Sequence, residues 1–202
     1  MATEPLSQNN PSREKTHTRN ITLNGYRRSD GLMDIEAEMT DVKTYPFPNR
    51  LRGIIEPGQP FHHMKLRIAI DENLLIHEAE AETLAGPYAA CPGATAPFAN
   101  LIGLTIGPGW RRKLREAIGG RQGCTHITEL MGPVATVAYQ TLYGEKVRQE
   151  RQQQPDSKAS SSGETRNEIN TNMINSCLAY HQDGEIVRHL WPDGVPTEHD
   201  DT

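Results

Sequence analysis

The run Met33-Asp34-Ile35-Glu36-Ala37-Glu38-Met39-Thr40 decides the architecture. Apolar residues at 33, 35, 37 and 39 alternate with acidic or hydroxyl residues, the period of two by which a strand turns one face to a core and the other to water. Upstream, Ile21, Leu23 and Gly25-Tyr26 suggest a second strand, and Ser29-Asp30-Gly31 between them is a strong turn signal, so the two runs predict a hairpin. Downstream, beyond Tyr45-Pro46-Phe47-Pro48 and a Glu56-Pro57-Gly58 turn, Met64, Leu66, Ile68 and Ile70 alternate with Lys65, Arg67 and Ala69. After Asp71-Glu72-Asn73 the run from Leu75 to Leu84 sets Glu78, Glu80 and Glu82 outward. Where these strands adjoin, the acidic rows can pair with Lys65 and Arg67 at ~0.2–1 kcal/mol per pair, enough to help set register but not to make a site.

After Gly86-Pro87 the pattern becomes helical. Cys91-Pro92-Gly93 reads as loop, Pro97 as the first residue of a short helix to about Gly103, and Trp110 to Ile118 as a helix stopped by Gly119-Gly120. Ile127, Leu130, Met131, Val134, Val137, Ala138 and Leu142 recur at helical spacing, predicting a long helix from an N-cap at Thr125 to about Arg151, kinked at Pro133. Strands first and helices afterwards predict an α+β fold, an antiparallel sheet of N-terminal hairpins covered on one face by C-terminal helices.

The organisation expected is a disordered lead-in at residues 1–14, one domain at 15–151, and a C-terminal region at 152–202. That last region combines a flexible Ser/Gln-rich linker, a short amphipathic helix through Ile169, Met173 and Cys177 to Asp183-Gly184, and an acidic tail around Trp191. A length of 202 residues suits one core with tails, and the low hydrophobic (35%) and aromatic (5%) contents agree with a modest one. A formal net charge of −5, with no basic patch interleaved with aromatics, argues against nucleic acid as a partner. No leader-like stretch and no apolar run long enough to span a bilayer argue against a membrane. Three cysteines at irregular spacing form no disulfide framework and point to the cytoplasm.

Chemistry concentrates in Gly123-Cys124-Thr125-His126-Ile127-Thr128-Glu129, a thiol, an imidazole and a carboxylate within six residues at a helix start. The helix dipole there favours a thiolate at Cys124. His126 and Glu129, three apart, share a helix face. His62-His63 and Cys91 are the other residues placed to meet this stretch.

Gly25-Tyr26-Arg27-Arg28-Ser29-Asp30-Gly31, Asp34-Ile35-Glu36-Ala37, Thr40-Asp41-Val42-Lys43, His63-Met64-Lys65-Leu66-Arg67 and Gly123-Cys124-Thr125-His126 together resemble a bacterial family, domain-of-unknown-function family two-eight-eight-nine, over about residues 13–145. That resemblance implies no activity. The run Gly58-Gln59-Pro60-Phe61-His62-His63-Met64-Lys65-Leu66-Arg67-Ile68 is also similar to the sheet of NifU/IscU-type iron–sulfur scaffolds. It implies ligands just before that strand (here His62-His63), after the next strand (Cys91) and at the start of the last long helix (Cys124, with His126 beside it). Histidine replaces the first scaffold cysteine, Cys91 falls several residues late, and the neighbouring histidine follows its cysteine instead of preceding it.

Imidazole and thiolate suit zinc or iron, so the expected metal set is His62 or His63, Cys91, Cys124 and His126, with Glu129 as an outer ligand or an orienting carboxylate. The function expected is metal or sulfur handling of a scaffold or accessory kind. A second expectation is a thiol-dependent enzyme with Cys124 as nucleophile, activated by the helix end and by His126 or His63, with Glu129 as a further catalytic candidate. A third is a non-catalytic module that binds another protein.

Overall fold

In the computed structural model residues 11–153, 174–192 and 194–195 are described. The chain divides into two compact units, Met1–Gln149 and Glu150–Thr202.

The first unit is the expected α+β fold. Strands β1 (His17–Arg27), β2 (Met33–Lys43), β5 (Pro60–Ile70) and β6 (Ile76–Ala85) form an antiparallel sheet in the order β1-β2-β5-β6. Between β2 and β5, where the sequence suggests only a Pro-rich connection, β3 (Phe47–Asn49) and β4 (Gly53–Ile55) make a small separate hairpin. Asn49 holds its turn together by accepting the amides of Leu51 and Arg52. Cys91 does not lie in a loop: it opens a 3-10 helix, Cys91–Leu101, that runs through Pro97. Helices α1 (Trp110–Ile118) and α2 (Thr125–Gln153) follow.

The core is what the alternation demands. Met33, Ile35, Ala37 and Met39 of β2 and Met64, Leu66, Ile68 and Ile70 of β5 are buried under Leu114 and Ile118 of α1 and Ile127, Leu130, Met131, Val134 and Ala138 of α2. Each of these side chains larger than alanine contributes roughly 1.5–3 kcal/mol when fully removed from water. The opposite face of the sheet carries the charge ladder: Arg67 bonds Asp34 (2.8 Å), Glu78 (2.7 Å) and Glu80 (2.9 Å), and Lys65 sits 3.7 Å from Glu38.

Two close approaches set the helices. A Cβ at Gly123 would stand 2.3 Å from the carbonyl oxygen of Ile118, so only glycine permits the tight step from α1 to α2. The Thr128 hydroxyl then donates to that same Ile118 carbonyl and to Cys124, while the Thr128 amide also donates to the Cys124 carbonyl. Cys124, one residue earlier than the sequence suggests, therefore takes the N-cap position. Along β1, Glu129 faces Arg19, Thr141 crowds Gly25 so closely that a Cβ there would lie 2.1 Å from its Oγ1, and Glu145 faces Arg27. The spacing is consistent, because the rise from Glu129 to Glu145 on a helix and from Arg19 to Arg27 on a strand is in both cases about 25 Å. Helix α2 thus runs lengthwise over β1 and brings its first turn to the end of the sheet where β1 begins.

The second unit departs from expectation. Ile169 and Met173 lie outside the described residues, as does the Ser-rich stretch. From Ile174 to Asp183 the chain forms turns and a 3-10 helix, Leu178–Tyr180, while the helix comes later, as α3 (Glu185–Leu190), with Val187 and Trp191 buried. Gly184 opens that helix instead of ending one. Cys177 is exposed.

Candidate functional site

The site grows out of the ends of the apolar rows. On β2 the inward positions run Met33, Ile35, Ala37, Met39, and the next is Asp41, only 1% exposed. On β5 the inward row, followed backwards from Ile70 to Met64, reaches His62, which pairs with Asp41 across the ladder. On β1 the positions in register with the inward row of β2 are Leu23, Ile21, Arg19 and His17, and Arg19 pairs with Asp41. Three strands therefore replace apolar side chains by polar ones at the same end of the sheet, under the first turn of α2. A bulge in the β2–β5 pairing just beyond Asp41 ends the regular ladder there.

Asp41 is saturated. Its Oδ1 accepts from His17 Nε2 (3.0 Å) and Arg19 Nε (2.8 Å); its Oδ2 accepts from Arg19 Nη2 (2.8 Å) and His62 Nδ1 (3.0 Å). Four donors fill the roughly four lone-pair sites of a carboxylate. Burial by itself would raise the carboxyl, but the Arg19 fork and His17 outweigh it and hold Asp41 well below the usual carboxylate range, so it is ionised. An ionised acceptor assigns the proton of His62 to Nδ1 and leaves Nε2 with its lone pair free. Burial, reinforced by His126, lowers the pKa of His62 against the pull of Asp41, which favours the neutral imidazole.

His126, from the first turn of α2, lies beside it: the two ring centroids are 4.1 Å apart and tilted by 40°. Phe61 also packs edge-on against His62, at 4.7 Å. Cys124 Sγ stands 3.9 Å from His126 Nδ1. Ligand atoms of Asp41, His62 and His126 all fall within 4.8 Å of one another.

Of the residues singled out from the sequence, His62 and His126 meet, with Cys124 next to His126. His63, one position along β5, points to the other face of the sheet and pairs with Glu38 there, because successive strand residues face opposite ways. Cys91 heads its 3-10 helix against Gly86 and is not part of the Asp41–His62–His126 group. Glu129 is 63% exposed and faces Arg19 at 3.8 Å, so it reaches the group only through that guanidinium. Asp41, Arg19 and His17 are absent from the sequence-derived set. Their signal was nonetheless present, as charged residues standing at the next inward position of an apolar alternation.

Fold and site together define an α+β domain with a buried carboxylate–imidazole constellation at one end of its sheet. Residues 17–140 match the model of a family described as "Protein of unknown function (DUF2889)", and the chain belongs to that family. The matched span contains every member of the constellation, from His17 to Glu129. No curated protein and no solved structure matches the chain, so the likeness to NifU/IscU-type scaffolds finds no support. Among the described residues no helix is long and apolar enough to cross a membrane.

Proposed function

We propose that this domain binds a transition-metal ion of the zinc or iron(II) kind through His62 and His126, with Cys124, which stands outside that close group but 3.9 Å from His126 Nδ1, moving in as the adjoining thiolate ligand. Asp41 acts from behind His62 and not as a ligand, because its four acceptor sites are already occupied by Arg19, His17 and His62. A carboxylate that fixes the tautomer of a ligating histidine is a recurrent partner of protein metal sites. The observation that carries this reading is the His62 ring, held through Nδ1 by Asp41, lying beside the His126 ring. The donor set fits a single borderline-soft ion. It does not fit an iron–sulfur cluster, which is held mainly by several thiolates, since Cys124 alone lies beside His126 and Cys91 packs against Gly86 instead. With three protein ligands a coordination position remains for water or substrate, so an ion here would supply Lewis-acid chemistry.

The test is elemental analysis of protein purified without oxygen, for the wild type and for His62→Ala and His126→Ala. Near-stoichiometric zinc or iron in the wild type, lost in both variants, is expected; retention in both would reject the site.

One observation favours a second reading, the 3.9 Å approach of Cys124 Sγ to His126 Nδ1. It supports a thiol nucleophile with an imidazole neighbour. Metal-free protein whose Cys124 alkylates much faster than Cys91, with the difference abolished by His126→Ala, would select it.

A further inference from the structure

We infer that Arg19 is a positioning residue for both imidazoles of the proposed metal site, an inference that rests on that metal reading. Its guanidinium has two working edges. One edge, Nε and Nη2, forms a fork on Asp41 with both contacts at 2.8 Å, and Asp41 in turn holds Nδ1 of His62 at 3.0 Å. The remaining nitrogen, Nη1, lies 3.8 Å from Glu129 Oε2 on α2. Glu129 stands three residues after His126 in the same helix, on the same face. A single side chain of β1 therefore reaches the β5 histidine through a carboxylate of β2, and the helix turn that carries the α2 histidine through a carboxylate three residues on.

The planar fork matters more than the charge. A lysine at 19 offers one compact ammonium, which cannot bond both oxygens of Asp41 in a plane and face Glu129 with a third donor. With the fork gone, the carboxylate turns and the His62 ring with it. The separation between His62 and His126 is then no longer held from both sides. His17 keeps one bond to Asp41 Oδ1 from a half-exposed position, so the buried carboxylate stays partnered in the variant and the fold survives.

The experiment measures zinc affinity by competition with a chromogenic chelator, and the visible spectrum of the cobalt(II)-substituted protein, for wild type, Arg19→Lys and Glu129→Gln. Arg19→Lys is expected to weaken zinc binding by about 10- to 100-fold, the range seen when partners behind metal ligands are removed, and to alter the cobalt spectrum. Glu129→Gln changes an exposed side chain that carries no fold, and a smaller, several-fold weakening with the same direction of spectral change is expected. Wild-type protein that binds zinc, with Arg19→Lys and Glu129→Gln both indistinguishable from it, overturns the role of Arg19 and leaves the metal reading standing. Wild-type protein that binds neither zinc nor cobalt(II) overturns both.

Discussion

Asp41 sits where the alternation of β2 asks for another methionine or isoleucine, and its burial is tolerable only because four donors meet it. Replacing it with asparagine keeps the volume but removes the charge and turns one acceptor into a donor facing donors. Asp41→Asn is therefore expected to lower stability by about 2 kcal/mol, within the range for hydrogen bonds to charged groups. Urea unfolding with an unchanged slope would measure it. His62 supplies a pH dependence whose direction follows from its lowered pKa. Folding favours its neutral form, so an unfolded chain takes up a proton near pH ~6.5 that the folded one still refuses. Metal-free protein should lose stability as the pH falls from neutrality towards 5, and His62→Gln should flatten that part of a melting-temperature profile. Asp41, also lowered, acts further down: its contribution is full above the normal carboxylate range and disappears only as strong acid protonates the folded form.

At the scale of the element, the position of His126 is decided by how α2 starts. Gly123 admits the approach of the Ile118 carbonyl, and Thr128 ties the first turn to it. Gly123→Ala puts a methyl against backbone atoms that cannot rotate away. A loss of about 1–3 kcal/mol, the usual cost of overpacking, is expected together with loss of bound metal, read by thermal unfolding and elemental analysis. Gly25 does the same service for the flank of α2 against β1, but there the obstacle is the Thr141 side chain. Gly25→Ala should be comparably destabilising and should be largely rescued by Thr141→Ala, a coupling that a double-mutant cycle detects. A purely additive cycle would show that α2 is not held at this contact.

For the whole molecule, the buried side chains of the sheet, α1 and α2 all belong to the first unit. We propose that residues 15–151 unfold as one cooperative body without the flanking segments. The expected outcome is a melting temperature within a few degrees of the full chain for that fragment. A broad or absent transition would mean that residues outside it complete the core.

Strand and helix periodicity was legible in the sequence because it is local: every second or every third to fourth residue must face the same way. It was enough to place β1, β2, β5 and β6, the helices α1 and α2, and the pairing of Lys65 and Arg67 with acidic neighbours. The small β3–β4 hairpin was not visible, since so short an element lacks a repeat long enough to register, and the short helix expected from Pro97 starts earlier, at Cys91, and is a 3-10 helix. The histidine pair was visible as chemistry, but the choice of His62 over His63 follows from which residue shares the inward face with Met64. Only the antiparallel register sets Arg19, Asp41 and His62 side by side. Only the packing of α2 along β1 carries His126 to them, whereas Cys91 packs locally, against Gly86. The contacts among Arg19, Asp41, His62 and His126 join residues more than twenty positions apart, and they depend on how apolar faces fit together in space, which no local pattern records.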